Sequence, residues 1–412
     1  MCSTHHSTTA AESLTSGYPP APPAGGVQTQ SERHAEEGAL GIYTKYSSPP
    51  PERMRESRTT RYRLQGVARK IAMAQGRAEN LEYPHDYHRV AKCKWTRVLP
   101  EVRVKIDADS SFYSGLTACG SVWACPVCSA KVQQTRRDEI AHLIAWAKDN
   151  GKQAVMVTFT HPHKMADSLE EQLKSQSDAL RRFRSGKAWQ KFKTRVGFVG
   201  MVRTLEVTYG RNGWHPHTHE LWIVDDQVQP ADVKIYVQNR WLSSCQKAGL
   251  VPPGKEQDFL FHAVNYHFHA DSSDYLAKQD DDSNWSVAEE MTLSSMKKGG
   301  KTIHPFALLQ WASEGDRMAS RLFLDYMQGM HGKRQVHWSR GLKELTGVNT
   351  LTDEEAAERE DQTAKTIAVL EIFAWKFICT SGSRSHVLDL AETGGSAAIA
   401  KWLASHGYDS YY

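Results

Sequence analysis

Short apolar segments alternate with longer amphipathic ones from Gln153 onward, and this alternation sets the expected fold. Runs of β-branched and apolar residues predict strands, whereas apolar residues three and four apart predict helices. We expect strands at 153–160, 197–209, 217–224 and 258–268, and helices at 168–193 and 232–247. Hairpin-connected strands with helices between the others indicate an α+β fold, in which a largely antiparallel sheet has helices covering one face.

The rest of the chain divides by composition. Its first segment is rich in Ser, Pro and Gly without apolar periodicity, which predicts disorder. A helix is expected over 132–150, ending at Gly151. The expected organisation is a disordered tail (1–50), a helical and Cys-rich segment (51–150), the sheet-containing core (151–284), a helical extension (285–345) and a helical C-terminal region (346–412).

Composition excludes several classes of protein. No run of about 18 apolar residues occurs, and the N-terminus lacks the pattern of a signal peptide, so we expect a cytoplasmic protein without a membrane partner. Seven cysteines, four of them between positions 93 and 128, fit a metal site in a reducing compartment better than a disulfide framework.

The net charge of +4 is only mildly basic, so the local clustering of basic residues is more informative than the total. Basic residues gather at 53–70, 181–195 and 297–301, and the first two runs are interleaved with aromatic residues. Such runs form either solvated helix faces or a phosphate-binding surface, and several on one chain favour the second interpretation.

Two histidines lie two positions apart in the segment GWHPHTHELW, at His217 and His219. Alternate side chains of a strand share a face, so both can bind one ion. Pro216 is expected to mark the start of the strand, because proline cannot donate within a ladder. This expectation puts His215 outside the strand and makes it a weaker ligand candidate.

Asn212-Gly213 is a hairpin signal immediately before these histidines. A two-residue turn there pairs Glu206 with His219, and directly paired residues share a face. Glu206, His217 and His219 then form a three-ligand set suited to Mn²⁺ or Zn²⁺, and less naturally to Mg²⁺. A three-residue turn would instead send Glu206 to the other face.

Four cysteines can supply the thiolates of a closed structural zinc site: Cys93, Cys119, Cys125 and Cys128. The alternative interpretation, a cysteine acting as a small buried apolar residue, suits Cys245 and Cys379 better.

A short helix is expected around Tyr275, with Asp271 and Lys278 on the same face. A tyrosyl oxygen is a poor nucleophile near pH 7 because its pKa is about 10, so a nearby cation or base is needed. Lys278 can supply the charge and Asp271 the base. Equally, Asp271 can cap the helix while Tyr275 packs on the sheet and Lys278 is solvated.

These pieces together resemble the HUH endonuclease superfamily, and specifically the rolling-circle plasmid replication initiators with a single nucleophilic tyrosine. The metal motif is the segment most specific to this family. In it a glutamate, a hairpin turn, the pattern W-H-P-H-x-H and an apolar strand follow one another in that order. The resembling segments are VMVTFTHPH (155–163), LEVTYGRNGWHPHTHELWIV (205–224), DYLAK (274–278), SVWACPVCSAKVQQTRRDE (121–139) and GKRQVHWSRGL (332–342).

The resemblance implies a metal-dependent, site-specific DNA endonuclease with strand-transfer activity. Tyr275 would nick one strand at the plasmid's double-strand origin, leaving a 5′-phosphotyrosyl link and a 3′-OH primer, and the strand would be rejoined at termination, with Asp271 as the candidate base. His217, His219 and Glu206 would hold Mn²⁺ or Mg²⁺. The implied partners are supercoiled or single-stranded origin DNA and the host DNA polymerase; a host helicase is also expected, since no G-x-x-x-x-G-K-[ST] loop is evident.

Three alternatives stay open. Relaxases and transposases of the HUH type share the histidine pair and the tyrosine chemistry, although relaxases tend to carry the tyrosine ahead of the histidines. A zinc-stabilised, non-catalytic DNA-binding regulator would make the tyrosine motif accidental. A zinc hydrolase built on His215, His217 and His219 would turn over substrate without a protein–DNA adduct.

Overall fold

Two antiparallel sheets organise the chain in this computed structural model, which describes residues 51–81, 88–107, 110–267, 302–349, 351–358 and 363–411. Their strands are β1 (Val102–Asp107), β2 (Ser110–Ser114), β3 (Lys152–Phe159), β4 (Gly200–Gly210), β5 (Gly213–Asp225), β6 (Val264–His267), β7 (Thr302–Ile303), β8 (Val336–Trp338), β9 (Lys365–Leu370) and β10 (Ser410–Tyr411).

Helices flank both sheets. Within the described ranges they are α1 (Pro51–Ala78), α2 (Pro126–Asp149), α3 (Leu169–Phe183), α4 (Gly186–Arg195), α5 (Pro230–Lys247), α6 (Glu256–His262), α7 (Pro305–Ser313), α8 (Arg317–Gly329), α9 (Leu342–Thr346), α10 (Asp353–Glu358), α11 (Ile372–Thr380) and α12 (Arg384–Ala404). A short 3-10 helix spans Arg89–Ala91. None of these helices is both long and apolar enough to cross a membrane.

The larger sheet has six strands, in the order β6-β3-β5-β4-β7, with β8 also paired to β4. Every pairing is antiparallel, which confirms the α+β prediction. Helices cover both faces of this sheet rather than the single face expected. Helices α3, α4 and α5 pack on one face, around Trp222 and Phe159, whereas α2 and α9 pack on part of the other, around Met156 and Leu221.

The four-stranded sheet, in the order β10-β9-β1-β2, joins segments far apart in the sequence. Val102 and Val104 of β1 and Leu370 of β9 pack with Trp375 of α11 and Leu388 of α12. The C-terminal region is mainly helical, as expected, but it also completes this sheet.

Two predicted elements differ from the structure. The expected helix 168–193 is two helices, because α3 ends at the C-cap residue Arg184 and α4 begins at Gly186, whose φ is +77°. The expected strand 258–268 begins as helix α6, which buries Phe259, and only its last residues pair with β3.

The basic run at 53–70 forms part of α1 and makes contacts within the protein. Arg58 is ion-paired with Asp389 and Glu392 of α12, and the guanidinium of Arg69 lies 3.8 Å from the ring centroid of Trp95. These cations therefore stabilise the packing of α1, and the phosphate-binding interpretation does not apply to them.

The β4–β5 hairpin has a different turn from the one expected. Gly210 pairs with Gly213, so Arg211 and Asn212 are the turn residues, and Glu206 lies opposite His217 instead of His219. The observed pairing of β4 with β5 differs from the expected one by two residues. Because side chains alternate with a period of two, Glu206 still lies on the same face as His217 and His219. Gly213 has φ of +87°, and a Cβ there would lie 3.1 Å from Met165 Cα.

Replacing Gly213 by Ala should lower the free energy of unfolding by about 1–2 kcal/mol, because a Cβ is disfavoured at positive φ. Gly66, inside α1, has open space around its would-be Cβ, and alanine there should raise stability by about 0.5–1 kcal/mol. Urea unfolding of both variants checks this pair, and equal stability of Gly213→Ala and the parent would contradict the assigned turn.

Candidate functional site

Three side chains converge on the sheet face that α2 covers only in part. Oε2 of Glu206 lies 3.0 Å from Nε2 of His217 and 3.1 Å from Nε2 of His219. The side chains are 26%, 13% and 14% exposed, respectively, so the cluster is recessed yet open to solvent. The chain thus brings together the predicted ligands Glu206, His217 and His219, and their ligand atoms lie within 4.8 Å of one another.

The electrostatics of this triad favour a positive charge beside the carboxylate. Burial opposes the charged form of Glu206, but His217 and His219 outweigh it and hold the pKa of Glu206 well below its ordinary value. Burial likewise opposes protonation of His217, yet Glu206 raises the His217 pKa above its ordinary value. A proton or a cation can supply the positive charge.

The chemistry of the triad fits a divalent metal. Neighbouring ligands of an octahedral ion at about 2.1 Å are about 3.0 Å apart, close to the separations observed here. One carboxylate and two imidazoles suit ions of the Mn²⁺ type, and three protein ligands leave coordination positions open. The triad is therefore a candidate catalytic metal centre rather than a purely structural one.

Thr158 of β3 supports the site and was not singled out in the sequence. Its Oγ1 lies 2.9 Å from Nδ1 of His219, the ring nitrogen opposite the one that faces Glu206. With Nδ1–H donating to the hydroxyl, Nε2 of His219 carries the lone pair that a metal requires. The only sequence signal is strand alternation, which cannot show that β3 pairs with β5.

Pro216 lies inside β5, contrary to expectation, and this places His215 in the strand as well. Proline is tolerated because β3 pairs with β5 only as far as Thr218, so at Pro216 the missing donor is on an unpaired side. His215 shares the face of His217, but its ring stacks on His163 with centroids 4.6 Å apart. It is not part of the converging ligand set.

The four candidate zinc thiols also lie together, and all four are buried. Sγ of Cys93 is 3.6 Å from that of Cys125 and 3.4 Å from that of Cys128, and Sγ of Cys119 is 3.8 Å from that of Cys128. Zinc–sulfur bonds of about 2.3 Å in a tetrahedron give sulfur separations of about 3.8 Å, so the cluster fits this ion.

The surroundings of the cysteine cluster also suit a bound cation. Burial raises the pKa of Cys125 well above its ordinary value, whereas hydrogen bonds from the other thiols hold that of Cys128 well below it. Lys94 retains a raised pKa despite burial, because the cysteines attract its charge. Gln65 of α1 donates to the carbonyl of Cys93 at 2.6 Å and fixes the loop that carries it.

A small cavity of about 80 Å³ lies at the edge of β4 beside Glu206. Helix α2 contributes Arg136 and Arg137 to its wall, and His304 and Tyr326 complete the side toward α7 and α8. Arg136 is ion-paired with Glu139 and Asp353. Two arginines of α2 and Glu206 of the candidate metal centre therefore line the same cavity.

The predicted tyrosine motif cannot be placed against this geometry. Tyr275, Asp271 and Lys278 lie outside the described residues, as does the basic run at 297–301. In the other basic run, at 181–195, the aromatic residues Phe183, Trp189 and Phe192 are core residues and are not available to stack on bases.

Fold and site together define an α+β protein with a carboxylate–histidine centre on an antiparallel sheet and a separate four-cysteine cluster. A family model described as "Replication protein" matches residues 116–252, which contain Cys119, Cys125, Cys128 and the whole β4–β5 hairpin. The resemblance to the rolling-circle plasmid replication initiators is confirmed by this match and by replication-protein relatives.

Three curated relatives illustrate the similarity. A "Protein rep" from Streptomyces lividans is 26% identical over 306 residues, covering 59% of this chain and 66% of the relative. A "Neomycin resistance protein" from Streptomyces cyanogenus is 32% identical over 141 residues, covering 28% and 32%. A "Protein rep" from Staphylococcus aureus is 30% identical over 124 residues, covering 29% and 51%.

The chain therefore spans less than two thirds of the length of each of these relatives. No solved structure matches the chain significantly.

The metal triad predicts a graded loss of Mn²⁺ binding. Glu206→Ala removes the anionic ligand and should weaken binding severely, whereas Thr158→Val removes only the contact that orients His219 and should weaken it about 10–100-fold. Thr160→Val, a nearby exchange outside the site, is the control. Calorimetric titration with Mn²⁺ gives the three affinities, and equal losses in both threonine variants would contradict the role of Thr158.

The cysteine cluster predicts one zinc ion per chain, lost on replacement of a ligand. Cys128→Ser should lower the zinc content measured by atomic absorption, and it should lower the unfolding temperature because metal binding stabilises the folded site. Cys245→Ser disturbs a buried cysteine in the core of the larger sheet but should leave zinc content unchanged. Full zinc content in Cys128→Ser would rule out a four-thiolate site.

Proposed function

We propose that this protein initiates plasmid rolling-circle replication by nicking one DNA strand at the double-strand origin. The observation that carries the proposal is the triad of Glu206, His217 and His219, recessed but solvent-accessible on a rigid sheet. The similarity to replication proteins supports the same function, since the matched segment contains this triad.

The triad would hold Mn²⁺ or Mg²⁺, which when bound stabilises the charge that develops on a phosphodiester under attack. The residues of the chain do the positioning. Glu206 supplies the negative charge that retains the cation, His217 and His219 fix its place on the sheet, and Thr158 fixes the ring of His219. Site-specific cleavage requires that the phosphate be oriented as well as activated.

Tyr275 is the proposed nucleophile, with Lys278 lowering the cost of forming the phenolate and Asp271 as the proposed base for the terminating reaction. The Oη–P bond forms as the P–O3′ bond breaks, and the departing oxygen takes a proton to become the 3′-OH primer. The 5′-phosphotyrosyl ester conserves the bond for rejoining. Single-stranded or extruded origin DNA is the proposed substrate, and a host helicase and DNA polymerase are the proposed partners.

The cysteine cluster is proposed to bind structural zinc. Cys125 is the N-cap of α2, and Cys128 lies in the first turn of the same helix. Four thiolates close the coordination shell of zinc, so this site has no position for substrate. Its proposed role is to fix the start of α2, and with it the guanidinium-lined cavity beside Glu206.

The zinc hydrolase alternative is less well supported by the geometry. It requires His215 together with His217 and His219, whereas the ring of His215 stacks on His163 and the converging third ligand is Glu206. A non-catalytic DNA-binding regulator would have no need for an open coordination position next to a recessed carboxylate.

Replacement of Tyr275 by Phe tests the proposal most directly. The parent protein, incubated with Mn²⁺ and a supercoiled plasmid that carries the origin, should give a covalent protein–DNA adduct that survives denaturing electrophoresis. Tyr275→Phe should abolish the adduct, since phenylalanine has no oxygen to form the ester.

Tyr266→Phe is the matched control, because Tyr266 lies in β6 and its hydroxyl donates to the carbonyl of Lys234 at 3.3 Å. The control should retain the adduct. An unchanged adduct in Tyr275→Phe would sink the nucleophile assignment, and the absence of any adduct from the parent protein would sink the proposed nicking activity.

A further inference from the structure

A row of charged side chains crosses the larger sheet on the face opposite the metal triad. Arg203 of β4 pairs directly with His337 of β8 on one side and with Glu220 of β5 on the other. Directly paired residues share a face, with Cβ atoms about 4.5–5.5 Å apart, so the three side chains form one line. The line runs from the exposed edge strand to a fully buried carboxylate.

The buried end of this row already has its partners. Glu220 is ion-paired with Arg184, the C-cap residue of α3, and it accepts a hydrogen bond of 2.8 Å from Nε1 of Trp222. Arg203 makes no ion pair or hydrogen bond through its side chain within the described part of the chain. The structure therefore accounts for Glu220 and leaves the Arg203 guanidinium without an anion.

The charges around Arg203 do not balance. Arg203 is paired directly with Glu220 in the ladder, and Arg184 is ion-paired with the same carboxylate. Burial first, then the charges of Arg203, Arg184 and Arg334, lower the pKa of His337 to about 4. Burial also lowers the pKa of Arg203, because removing the guanidinium from water disfavours its charged form. A partly buried guanidinium without an anion is costly, and such costs concentrate at functional sites.

We propose that Arg203, with His337 beside it, binds a backbone phosphate of the DNA on which the protein acts. A guanidinium presents a planar fork of donors that matches phosphate oxygens, which suits it to this ligand. This inference rests on the proposed function, because it takes the ligand to be the nicked or displaced strand.

The position of Arg203 relative to the triad suits a strand that continues past the cleavage site. Arg203 and Glu206 are three residues apart in β4, about 10 Å along the strand, and their side chains point to opposite faces. β8 is the edge strand here and has only three residues. A single strand of DNA that rounds this short edge would reach Arg203 from the metal centre.

The test is the salt dependence of binding to a fluorescent single-stranded oligonucleotide, measured by anisotropy with the full chain. Each phosphate contact on a single strand contributes about 0.7 to the slope of log K against log salt. Arg203→Gln should reduce the slope by about this amount and weaken binding equally for unrelated sequences. Arg203→Lys should restore much of the slope, since it restores the charge.

Arg317→Gln is the control, because Arg317 is an exposed arginine at the start of α8, away from the paired row of Arg203, His337 and Glu220. Unfolding temperature and zinc content confirm that each variant is folded. A slope for Arg203→Gln equal to that of the parent and of Arg317→Gln would overturn the proposal. Stabilisation of the parent by inorganic phosphate that is lost in Arg203→Gln, with an unchanged DNA slope, would assign the site to free phosphate instead and equally overturn it.

The adduct assay separates the two proposals. If the parent forms the Tyr275 adduct but Arg203→Gln keeps the full slope, only the Arg203 site fails. If Arg203→Gln loses the slope while the parent forms no adduct, the phosphate site stands and the nicking function fails.

Discussion

The register of the β4–β5 hairpin is the constraint on which the candidate site depends. Glu206 lies directly opposite His217 because Gly210 pairs with Gly213 across a turn that Gly213 closes with φ of +87°. A slip of one residue would move Glu206 to the face of Trp222 and bury its charge in the core. Trp222 itself opposes such a slip, since it is fully buried among α3, α4 and α5.

Helix α2 links the two candidate metal sites. Its first turn carries Cys125 and Cys128, and further along Ile140, Leu143 and Ile144 pack on the sheet beside Met156 and Leu221. The cysteine cluster thus fixes one end of a helix whose other half covers the sheet. Glu206 and the two histidines lie on the part of that face that α2 leaves uncovered. The position of α2 therefore affects both candidate sites.

The sequence allowed the antiparallel sheet and the convergence of the triad to be predicted, because alternation and hairpins are local properties. The turn of the β4–β5 hairpin was predicted one residue too far along the chain. Asn-Gly commonly occupies the two central positions of such a turn, whereas here Arg211 and Asn212 occupy them and Gly213 comes next. Thr158 could not be found, because it meets His219 from 61 residues away and strand pairing at that separation leaves no local pattern. The second sheet was missed for the same reason, as β1 pairs with β9 across most of the chain.

Charge explains why only one of the two centres suits phosphate chemistry. A divalent ion bound to four thiolates carries a net charge of about −2 and has a closed shell, so it repels an anionic substrate. The same ion bound to Glu206 and two neutral imidazoles carries about +1 and keeps positions open, so it attracts one. Arg137 also lines the adjoining cavity, and the recessed carboxylate of Glu206 supplies the negative charge that retains the cation. The ligand types alone therefore separate a structural centre from a reactive one.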